Sequence, residues 1–355
     1  MVFDVPAEIG GALTILNEFY NEVKDHKDKN IEWIFVLSTP DLKETNNIKV
    51  IKFPWIKKGW GHRLYFDYVI APILVKKYAP DKIFSLQNVV VPRTNVHQTV
   101  YLHQTLPFID YKFSFKENKL FWIYQNIIGK SIISSIKRSN SVIVQTNWFK
   151  KECAKKSGVN IDKISVVPPK INLNVKQYFQ VSKKTMSTFF YPSSALTYKN
   201  HKIVLEACKI IQEKNITDYE VIFTIDGDEN KHILEIYNEV EEKKLPIKFI
   251  GNISREKVFD YYSESVLIFP SYIETFGLPL LEAKLHNGFI LASDCSFSHE
   301  ILDDYENVCF FDPFNPKDLS DLILRAKNEE FNYCNFYESE DSKLERKSTI
   351  LSLLL

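Results

Sequence analysis

Residues 264 to 288 read ESVLIFPSYIETFGLPLLEAKLHNG, and this stretch decides the fold. The apolar run 266–269 predicts a buried parallel strand, and a Pro-Ser-Tyr loop follows it. After a turn at Gly277 we predict a helix near Pro279, because proline fits a first helical turn. Glu274 lies in the loop, and Glu282, eight residues later, is predicted in the helix's first turn. Both carboxylates then lie at the sheet edge where open α/β sheets bind ligands.

Backbone groups at the same turn are candidate phosphate donors. The first N–H groups of a helix have no partner inside the helix, so they can donate to an anion. A simpler role also fits an isolated glutamate pair, in which Glu282 only complements the partial positive charge of the helix N-terminus. The predicted backbone donors are those of Thr275, Phe276, Gly277 and Leu278.

Apolar runs alternate with helical patterns along the whole chain, and the alternation occurs twice. This order is typical of parallel sheets covered on both faces, so we predict an α/β protein with two Rossmann-like lobes. The Pro168-Pro169 pair opens a polar stretch that separates them. We predict a first lobe over 1–168, a linker over 169–184 and a second lobe over 185–327. We predict a tail over 328–355, and its apolar end predicts a helix.

The strands and helices near the candidate residues are predicted with definite bounds. They follow from short apolar runs for strands and from helical periodicity for helices. Strands are predicted at 2–4, 83–86, 99–103, 188–191, 220–225 and 266–269, and helices at 12–24, 64–78, 120–137, 202–214, 255–262 and 279–286.

Length and composition describe an ordinary globular protein. A chain of 355 residues is long for a single core and suits two domains. No apolar run approaches the roughly 20 residues that span a bilayer, and no basic-then-apolar leader precedes Asp4 and Glu8. The five cysteines include no C-x-x-C pair, which argues against a zinc site or a disulfide framework. We therefore expect a cytoplasmic protein.

Charge is divided between the two halves. Residues 1–172 carry 25 Lys and Arg against 15 Asp and Glu, whereas residues 173–355 carry 20 against 30. The basic half also contains FPWIKKGWGHR at 53–63, where aromatic and cationic residues alternate. This composition suits contact with an anionic membrane surface, and it fits an acceptor-binding loop or a packed loop equally well. The zero net charge and the lack of a known module argue against nucleic-acid binding.

Lys199 is the candidate phosphate-binding cation. It ends the stretch YPSSALTYK at 191–199 and precedes a helix that Asn200 is predicted to cap. An ammonium group beside a helix N-terminus suits a diphosphate. An ordinary solvated lysine is the alternative.

Two further candidates lie in the first half. His103 is predicted at the end of a strand in YLHQTLPF, 101–108, although a lone histidine is more often structural. Gly10 and Gly11 follow the first strand, where glycines let the backbone approach a ligand closely. No third glycine completes a dinucleotide fingerprint, which argues against NAD or FAD, and a simple turn is the alternative.

The stretch 264–288 resembles the donor-sugar signature of retaining GT-B glycosyltransferases, in particular family 4. The segments around His103, around 85–88 and around 144–148 resemble the bacterial surface-polysaccharide branch of that family. The resemblance implies two Rossmann-like lobes facing a cleft and a nucleotide-sugar donor. It implies no metal and no other cofactor. It implies a glycan or lipid-linked acceptor and a place in the cytoplasm or at the inner face of its membrane.

The resemblance also implies roles for individual residues. Glu282 would accept hydrogen bonds from the ribose, and Glu274 would bind the sugar and support positive charge at the anomeric carbon. His103 would contact the donor sugar or orient the acceptor. Many family members place an arginine a few residues before the lysine, and this chain has Ser193, Ser194 and Ala195 there. The departing diphosphate would be held by Lys199 and by the N–H groups of Gly11, Phe276 and Gly277.

Two other functions fit the same scaffold. One is a nucleotide-sugar 2-epimerase, which would convert the sugar without an acceptor. The other is a non-catalytic protein that only binds a nucleotide sugar.

Overall fold

The computed structural model describes residues 1–8, 10–170, 175–334 and 349–355. The chain divides into two compact units, Met1–Ile171 with Leu344–Leu355, and Asn172–Lys343. Part of the predicted linker, 171–174, and part of the predicted tail, 335–348, lie outside the described residues.

The first unit is built on a parallel sheet of short apolar strands. Strands buried on both faces need helices on both sides, and the sequence supplies one after most strands. The strands are β1 (Val2–Asp4), β2 (Trp33–Leu37), β3 (Ile48–Lys52), β4 (Lys82–Ser85), β5 (His97–Tyr101), β6 (Ser141–Val144) and β7 (Ile164–Val166).

Helices cover this first sheet, and two of the covering segments contain a π-helical turn. The α-helices are α1 (Gly10–Asp25), α2 (Trp60–Tyr65), α3 (Ala71–Tyr78), α4 (Lys119–Ile123), α5 (Gly129–Arg138) and α6 (Asn147–Ser157). The π turn Phe66–Ile70 joins α2 to α3, and the π turn Tyr124–Ile128 joins α4 to α5. Short 3-10 helices lie at Pro54–Lys58 and Ile161–Lys163.

The strand order of the first sheet is β3-β2-β1-β4-β5-β6-β7. Along the chain, β1, β2 and β3 follow one another toward one edge of the sheet, and β4, β5, β6 and β7 follow one another toward the other edge. The order therefore reverses between β1 and β4, where Phe3 pairs with Ser85. In an open parallel sheet the crevice at such a reversal, at the carboxyl ends of the strands, is the usual ligand position.

The second unit repeats this plan with six parallel strands. They are β8 (Thr188–Tyr191), β9 (Glu220–Phe223), β10 (Ile247–Phe249), β11 (Val266–Phe269), β12 (Ile290–Ser293) and β13 (Val308–Phe311). The helices are α7 (His201–Glu213), α8 (Lys231–Lys243), α9 (Arg255–Glu264), α10 (Leu278–Leu285), α11 (Ser296–Leu302) and α12 (Pro316–Lys327), with 3-10 helices at Thr185–Ser187 and Thr197–Lys199.

The second sheet has the order β10-β9-β8-β11-β12-β13, so its reversal lies between β8 and β11. Phe190 pairs with Leu267 there, and all four residues of both strands are buried. Apolar contacts on both faces hold such strands rigidly. Polar groups in the loops at the carboxyl ends of these strands are therefore held in fixed positions.

The last described residues return to the first unit. Helix α13 (Ile350–Leu354) buries Ile350, Leu351 and Leu354 in the cluster that also contains Phe19 of α1. The Leu354 carbonyl accepts a hydrogen bond from Lys82 Nζ at 2.6 Å. Of the described tail residues, 328–334 are not helical. The chain thus begins and ends on the same unit.

Candidate functional site

The reversal point of the second sheet brings Lys199 and Glu274 together. Lys199 follows β8 and Glu274 follows β11, and Lys199 Nζ lies 2.5 Å from Glu274 Oε1. The two side chains are only 16% and 15% exposed, so water screens the pair weakly. Residues 75 positions apart in sequence therefore form one charged pair at the predicted ligand edge.

Hydrogen bonds join the two loops that carry this pair. The Tyr191 hydroxyl donates to the Lys199 carbonyl at 2.7 Å, and the Tyr272 N–H donates to the Tyr198 carbonyl at 3.2 Å. The Ser271 hydroxyl also donates to the Tyr198 carbonyl, at 3.3 Å. These bonds fix the loop after β8 against the loop after β11.

Asn200 does not cap helix α7 through its side chain as predicted. It has a left-handed backbone (φ 61°), and its side chain makes no cap hydrogen bond. Its amide donates instead to the carbonyls of Pro270 and Pro313, at 3.2 and 2.7 Å. The prediction was wrong because these distant carbonyls compete successfully for the amide, and they cannot be located from local sequence.

The turn before α10 has the predicted form. Gly277 has φ +92°, a conformation that glycine adopts without the strain other residues incur, and helix α10 begins at Leu278 with Pro279 in its first turn. Thr275 and Phe276 precede it, and Phe276 is buried. Glu282 is the fifth residue of α10. A helical turn contains about 3.6 residues, so Glu282 lies about one residue beyond the first turn, and its predicted place in that turn is wrong.

Glu282 is buried and both of its oxygens have protein partners. Oε1 accepts from Arg255 Nη2 at 2.5 Å, and Oε2 accepts from the Tyr262 hydroxyl at 3.0 Å. Burial raises the pKa of the Glu282 carboxyl, and the Arg255 charge opposes this rise. Each carboxylate oxygen has a second lone pair, so Glu282 keeps capacity for additional donors.

Arg255 and Tyr262 were missed in the sequence. Both lie on α9, and no motif marks them as partners of a glutamate on α10. The Arg255 side chain is 58% exposed and lies over the Phe259 ring at 5.0 Å, whereas Glu282 is 6% exposed. An exposed cation therefore covers a buried carboxylate.

His103 lies beyond its strand rather than at its end. Strand β5 ends at Tyr101, so the predicted strand 99–103 was displaced by two residues. The His103 N–H donates to Asn88 Oδ1 at 2.8 Å, and Asn88 Nδ2 lies 3.2 Å from His103 Nε2. Because the amide nitrogen must donate, Nε2 accepts and the proton is assigned to Nδ1. Burial lowers the pKa of His103 to about 4.

The reversal point of the first sheet carries further polar groups near His103. Asp4 ends β1 and Gln87 follows β4, and both are buried. Asp4 Oδ1, Gln87 Oε1 and His103 Nδ1 have no hydrogen-bond partner within the described residues. Burial raises the pKa of the Asp4 carboxyl well above its ordinary value. The side chains at these strand ends are therefore uncharged hydrogen-bonding groups, and the ion pair of Arg63 with Asp67 lies close to Asp4 and Gln87.

Gly11 lies in the first turn of α1, which begins at Gly10. Gly10 has φ +65°, and a Cβ added at either glycine would meet no atom within 4 Å. The open space is compatible with a ligand approaching the backbone.

The structure thus places the predicted residues in two groups. Gly11 and His103 belong to the first unit, and the others belong to the second. In the described ranges, no group of three or more His, Cys, Asp or Glu side chains could hold a metal ion. The second group contains Lys199, Glu274, Thr275, Phe276, Gly277, Leu278 and Glu282.

Two parallel α/β units, each with polar residues at the reversal point of its sheet, define a two-lobed, ligand-binding protein of the Rossmann-like class. Residues 176–342 match the family model for glycosyl transferases group 1. The match covers nearly the whole second unit, and it confirms the coarser part of the resemblance inferred from 264–288, the similarity to glycosyltransferases.

Relatives of known name support the same family. The chain is 29% identical over 202 residues to the capsular polysaccharide biosynthesis glycosyltransferase CapH of Staphylococcus aureus, covering 53% of this chain and 56% of CapH. It is 25% identical over 238 residues to the O-antigen chain mannosyltransferase RfbU of Salmonella typhimurium, covering 67% of this chain and 63% of RfbU. The matches span less than two thirds of either relative.

The fold extends over a longer stretch than these sequence matches. The crystal structure of Anabaena HepE in complex with UDP-glucose aligns with a TM-score of 0.63 and 13% identity, over 93% of this chain and 89% of HepE. At this identity the likeness concerns the fold alone. It confirms the predicted pair of Rossmann-like lobes of the GT-B type.

Proposed function

We propose that this protein is a glycosyltransferase that moves a sugar from a nucleotide-sugar donor to a glycan or lipid-linked glycan during assembly of a bacterial surface polysaccharide. The observation that carries the proposal is the Lys199–Glu274 pair at the reversal point of the second sheet, with Glu282 on the helix that follows β11, in a unit that matches the family model for glycosyl transferases group 1. CapH and RfbU, by their names, act in capsule and O-antigen synthesis.

The donor binds to the second unit in this proposal. Glu282 accepts hydrogen bonds from the ribose hydroxyls, because a carboxylate can accept from two donors at once. Lys199 and the backbone N–H groups at Phe276 and Gly277 bind the diphosphate, which gains negative charge as it leaves. When it binds, the diphosphate competes with Glu274 for the Lys199 ammonium.

Transfer proceeds with retention and without a metal in this proposal. The bond between the anomeric carbon and the diphosphate oxygen breaks, and the acceptor hydroxyl forms the new bond on the same face. The leaving phosphate takes the proton of that hydroxyl, so the products are a nucleoside diphosphate and the glycoside. Glu274, freed from Lys199, binds the sugar and stabilises positive charge at the anomeric carbon. His103 orients the acceptor on the first unit through its Nδ1–H, and Gly11 stays a predicted donor-contacting residue.

A thermal-shift screen against UDP, GDP, dTDP, ADP and CMP sugars tests the donor site. A ligand that binds the folded state raises the melting temperature by mass action. HepE was crystallised with UDP-glucose, so UDP-glucose is tested first. We expect one base to give a clear shift and Glu282→Gln to weaken that binding by about tenfold or more. Glu256→Gln, an exposed glutamate on the same unit, is the matched control.

The outcomes of this screen are decisive. Binding of one nucleotide family, lost in Glu282→Gln and kept in Glu256→Gln, supports the donor site. No binding to any of the five would refute the proposal. Sugar transfer to a glycan acceptor, followed by analysis of the anomeric configuration with and without EDTA, then tests retention and metal independence.

An exposed apolar helix face on the first unit motivates a membrane-bound acceptor. The predicted aromatic stretch is partly packed, because Phe53 and Trp55 lie against the core cluster around Phe66. The exposed apolar residues begin at Trp60 in α2 and continue through the π turn Phe66–Ile70 into α3. We call this surface the apolar helix face, and it consists of Trp60, Leu64, Tyr65, Tyr68, Val69 and Ile73, each 37–56% exposed.

Cations flank the apolar helix face at both ends. Lys57 and Lys58 precede it, and Lys76 and Lys77 end α3. Exposed aromatic and aliphatic side chains beside lysines suit the interface of an anionic bilayer. No helix among the described residues is long and apolar enough to cross a membrane. The exposed apolar helix face and its flanking lysines lead us to propose peripheral contact with an anionic membrane.

Vesicle co-sedimentation tests this contact. We expect binding to vesicles that contain anionic phosphatidylglycerol, and weaker binding to neutral phosphatidylcholine vesicles. Leu64→Glu with Ile73→Glu should abolish binding without changing the melting temperature, since both side chains are more than half exposed. Leu234→Glu, an exposed leucine of the second unit, is the control. Equal binding of all variants would contradict the proposed surface.

A further inference from the structure

A serine in the loop after β8 contacts the histidine that begins helix α7, and this contact has no role in the function proposed so far. The resemblance to family 4 implied an arginine in this loop, and the chain has Ser193, Ser194 and Ala195 in its place. Lys199 is the cation of the loop, and Glu274 is its ion-pair partner. A diphosphate bound here would carry more negative charge than one ammonium neutralises, so other donors must contribute.

Ser193 is held at the sheet edge from two sides. Its backbone N–H donates to Thr224 Oγ1 at 3.1 Å, and its Oγ lies 2.9 Å from Nε2 of His201. Ser193 is half-buried and follows β8 directly after Pro192, whereas Ser194 is exposed. The hydroxyl of Ser193 therefore lies at the carboxyl edge of the second sheet, on the same loop as Lys199.

His201 is enclosed by the core of the second unit. It is 1% exposed, and its ring lies 5.1 Å from the Tyr191 ring and 5.0 Å from the Phe223 ring. Its other nitrogen, Nδ1, has no hydrogen-bond partner among the described residues. Ser193 is thus the hydrogen-bond partner of the His201 imidazole.

The burial of Nδ1 decides where the imidazole proton lies. A buried N–H without an acceptor is rarer in proteins than an acceptor with unused lone pairs. The proton is therefore assigned to Nε2, which donates to Ser193 Oγ. Burial, with a smaller effect of the Lys199 charge, lowers the pKa of His201 to about 3, so the ring stays neutral at physiological pH.

This tautomer fixes what Ser193 offers to a ligand. A serine hydroxyl has one proton and two acceptor lone pairs. If one lone pair accepts from His201, the imidazole does not use the hydroxyl proton. The Tyr191 oxygen can accept this proton, and an anion bound at this edge would compete with Tyr191 for it. With the opposite tautomer, the proton would point into His201 and Ser193 would present only lone pairs, which repel a phosphate oxygen.

We propose that Ser193 donates a hydrogen bond to the diphosphate of the nucleotide sugar, and that His201 is the positioning residue that orients the Ser193 hydroxyl. This neutral pair takes the place of the expected arginine beside Lys199. The proposal rests on the proposed function, because it requires that a nucleoside diphosphate binds at this edge.

Ser193→Ala is the main test, with Ser194→Ala as the matched control. Calorimetric titration gives the affinity for UDP, and ligand-observed NMR competition gives the affinity for uridine, which has no phosphate. A hydrogen bond to a charged group predicts a loss of about tenfold or more in UDP affinity for Ser193→Ala. We expect unchanged uridine affinity, unchanged UDP affinity in Ser194→Ala, and retention of most UDP affinity in Ser193→Thr.

Two variants of His201 test the positioning role. Glutamine can place an amide donor near the position of Nε2, whereas leucine has no donor. We expect His201→Gln to keep most of the UDP affinity and His201→Leu to lose about as much as Ser193→Ala. The double variant S193A/H201L should lose no more than either single change, because both remove the same hydrogen bond. Melting temperatures without ligand show whether each variant folds.

The outcomes separate this inference from the proposed function. If the wild type binds UDP and Ser193→Ala binds it equally well, the opposite tautomer or another donor is at work and the inference is overturned. A folded His201→Leu with wild-type affinity would overturn the positioning role. If the thermal screen selects another base, its diphosphate and its nucleoside replace UDP and uridine. Failure of the wild type to bind any nucleoside diphosphate would refute the proposed function itself.

Discussion

The reversal points of the two sheets are built from different chemistry. In the second unit, ionic side chains are paired with each other, as in Lys199 with Glu274 and Arg255 with Glu282. In the first unit, the strand-end residues Gln87 and His103 are uncharged, and burial favours the neutral form of Asp4 against the opposing charges of Arg63 and Lys57. The ion pair near them, Arg63 with Asp67, lies on the covering helix rather than at a strand end. Related architectures therefore present an ionic edge and a neutral edge.

This difference matches the ligand that we propose for each edge. An ionic site without its ligand needs counter-charges, because a buried unpaired charge is expensive. A neutral site can leave hydrogen-bonding atoms unpartnered at a cost of about 1–3 kcal/mol each. The ionic edge suits a nucleoside diphosphate, and the neutral edge suits hydroxyl groups of an acceptor sugar. Three predictions follow, in order of expected effect.

The largest effect is expected for Glu274→Gln, which removes the charge of the ionic edge while keeping the shape. Sugar transfer should fall by about 10²–10³-fold, the range seen when one preorganised electrostatic group is lost. Nucleoside diphosphate affinity should stay the same or rise, because Lys199 loses its competing partner. Initial transfer rates and calorimetry measure the two effects. A variant with the wild-type transfer rate would remove Glu274 from the mechanism.

His103→Gln tests the neutral edge through its pH dependence. The pKa of His103 falls from 6.5 to about 4 on folding, so its contribution to stability is complete above pH 6.5 and is lost as pH falls to 4. This contribution is about 3 kcal/mol. Glutamine can still accept from Asn88 but does not titrate, so the wild type should lose stability relative to the variant across this window.

Urea unfolding at several pH values between 7 and 4 measures this difference. The raised pKa values of Asp4 and Glu282 act in the opposite direction, but both proteins share them and the comparison cancels them. If the unfolding free energies of the wild type and the variant changed equally with pH, His103 would not be buried as a neutral imidazole.

The smallest effect is expected for Arg255→Ala in the ionic edge. The change leaves the buried Glu282 carboxylate with Tyr262 but without its cation, and should cost about 1–2 kcal/mol of unfolding free energy. Lys257→Ala breaks an exposed pair with Asp260 on the same helix, and should change stability by less than about 0.5 kcal/mol. Equal losses in the two variants would show that Arg255 contributes no more than a surface charge.

The sequence determined the strands, the helices and the glutamate motif. Strands β8 and β11 were predicted with the observed bounds, 188–191 and 266–269. Helix α10 was predicted one residue late, at 279–286, and Gly277 was predicted as its turn. Apolar runs and helix signals are local properties of the chain, so local patterns sufficed for them.

Only the tertiary structure decided the partners of these residues. Arg255 and Tyr262 reach Glu282 from α9, Asn200 donates to Pro270 and Pro313, and His201 contacts Ser193. These contacts depend on which strands are neighbours and on which side chains face each other across loops. Strand order and side-chain packing arise from interactions between distant segments, so no local pattern specifies them, and the chemistry of both edges became visible only in the folded chain.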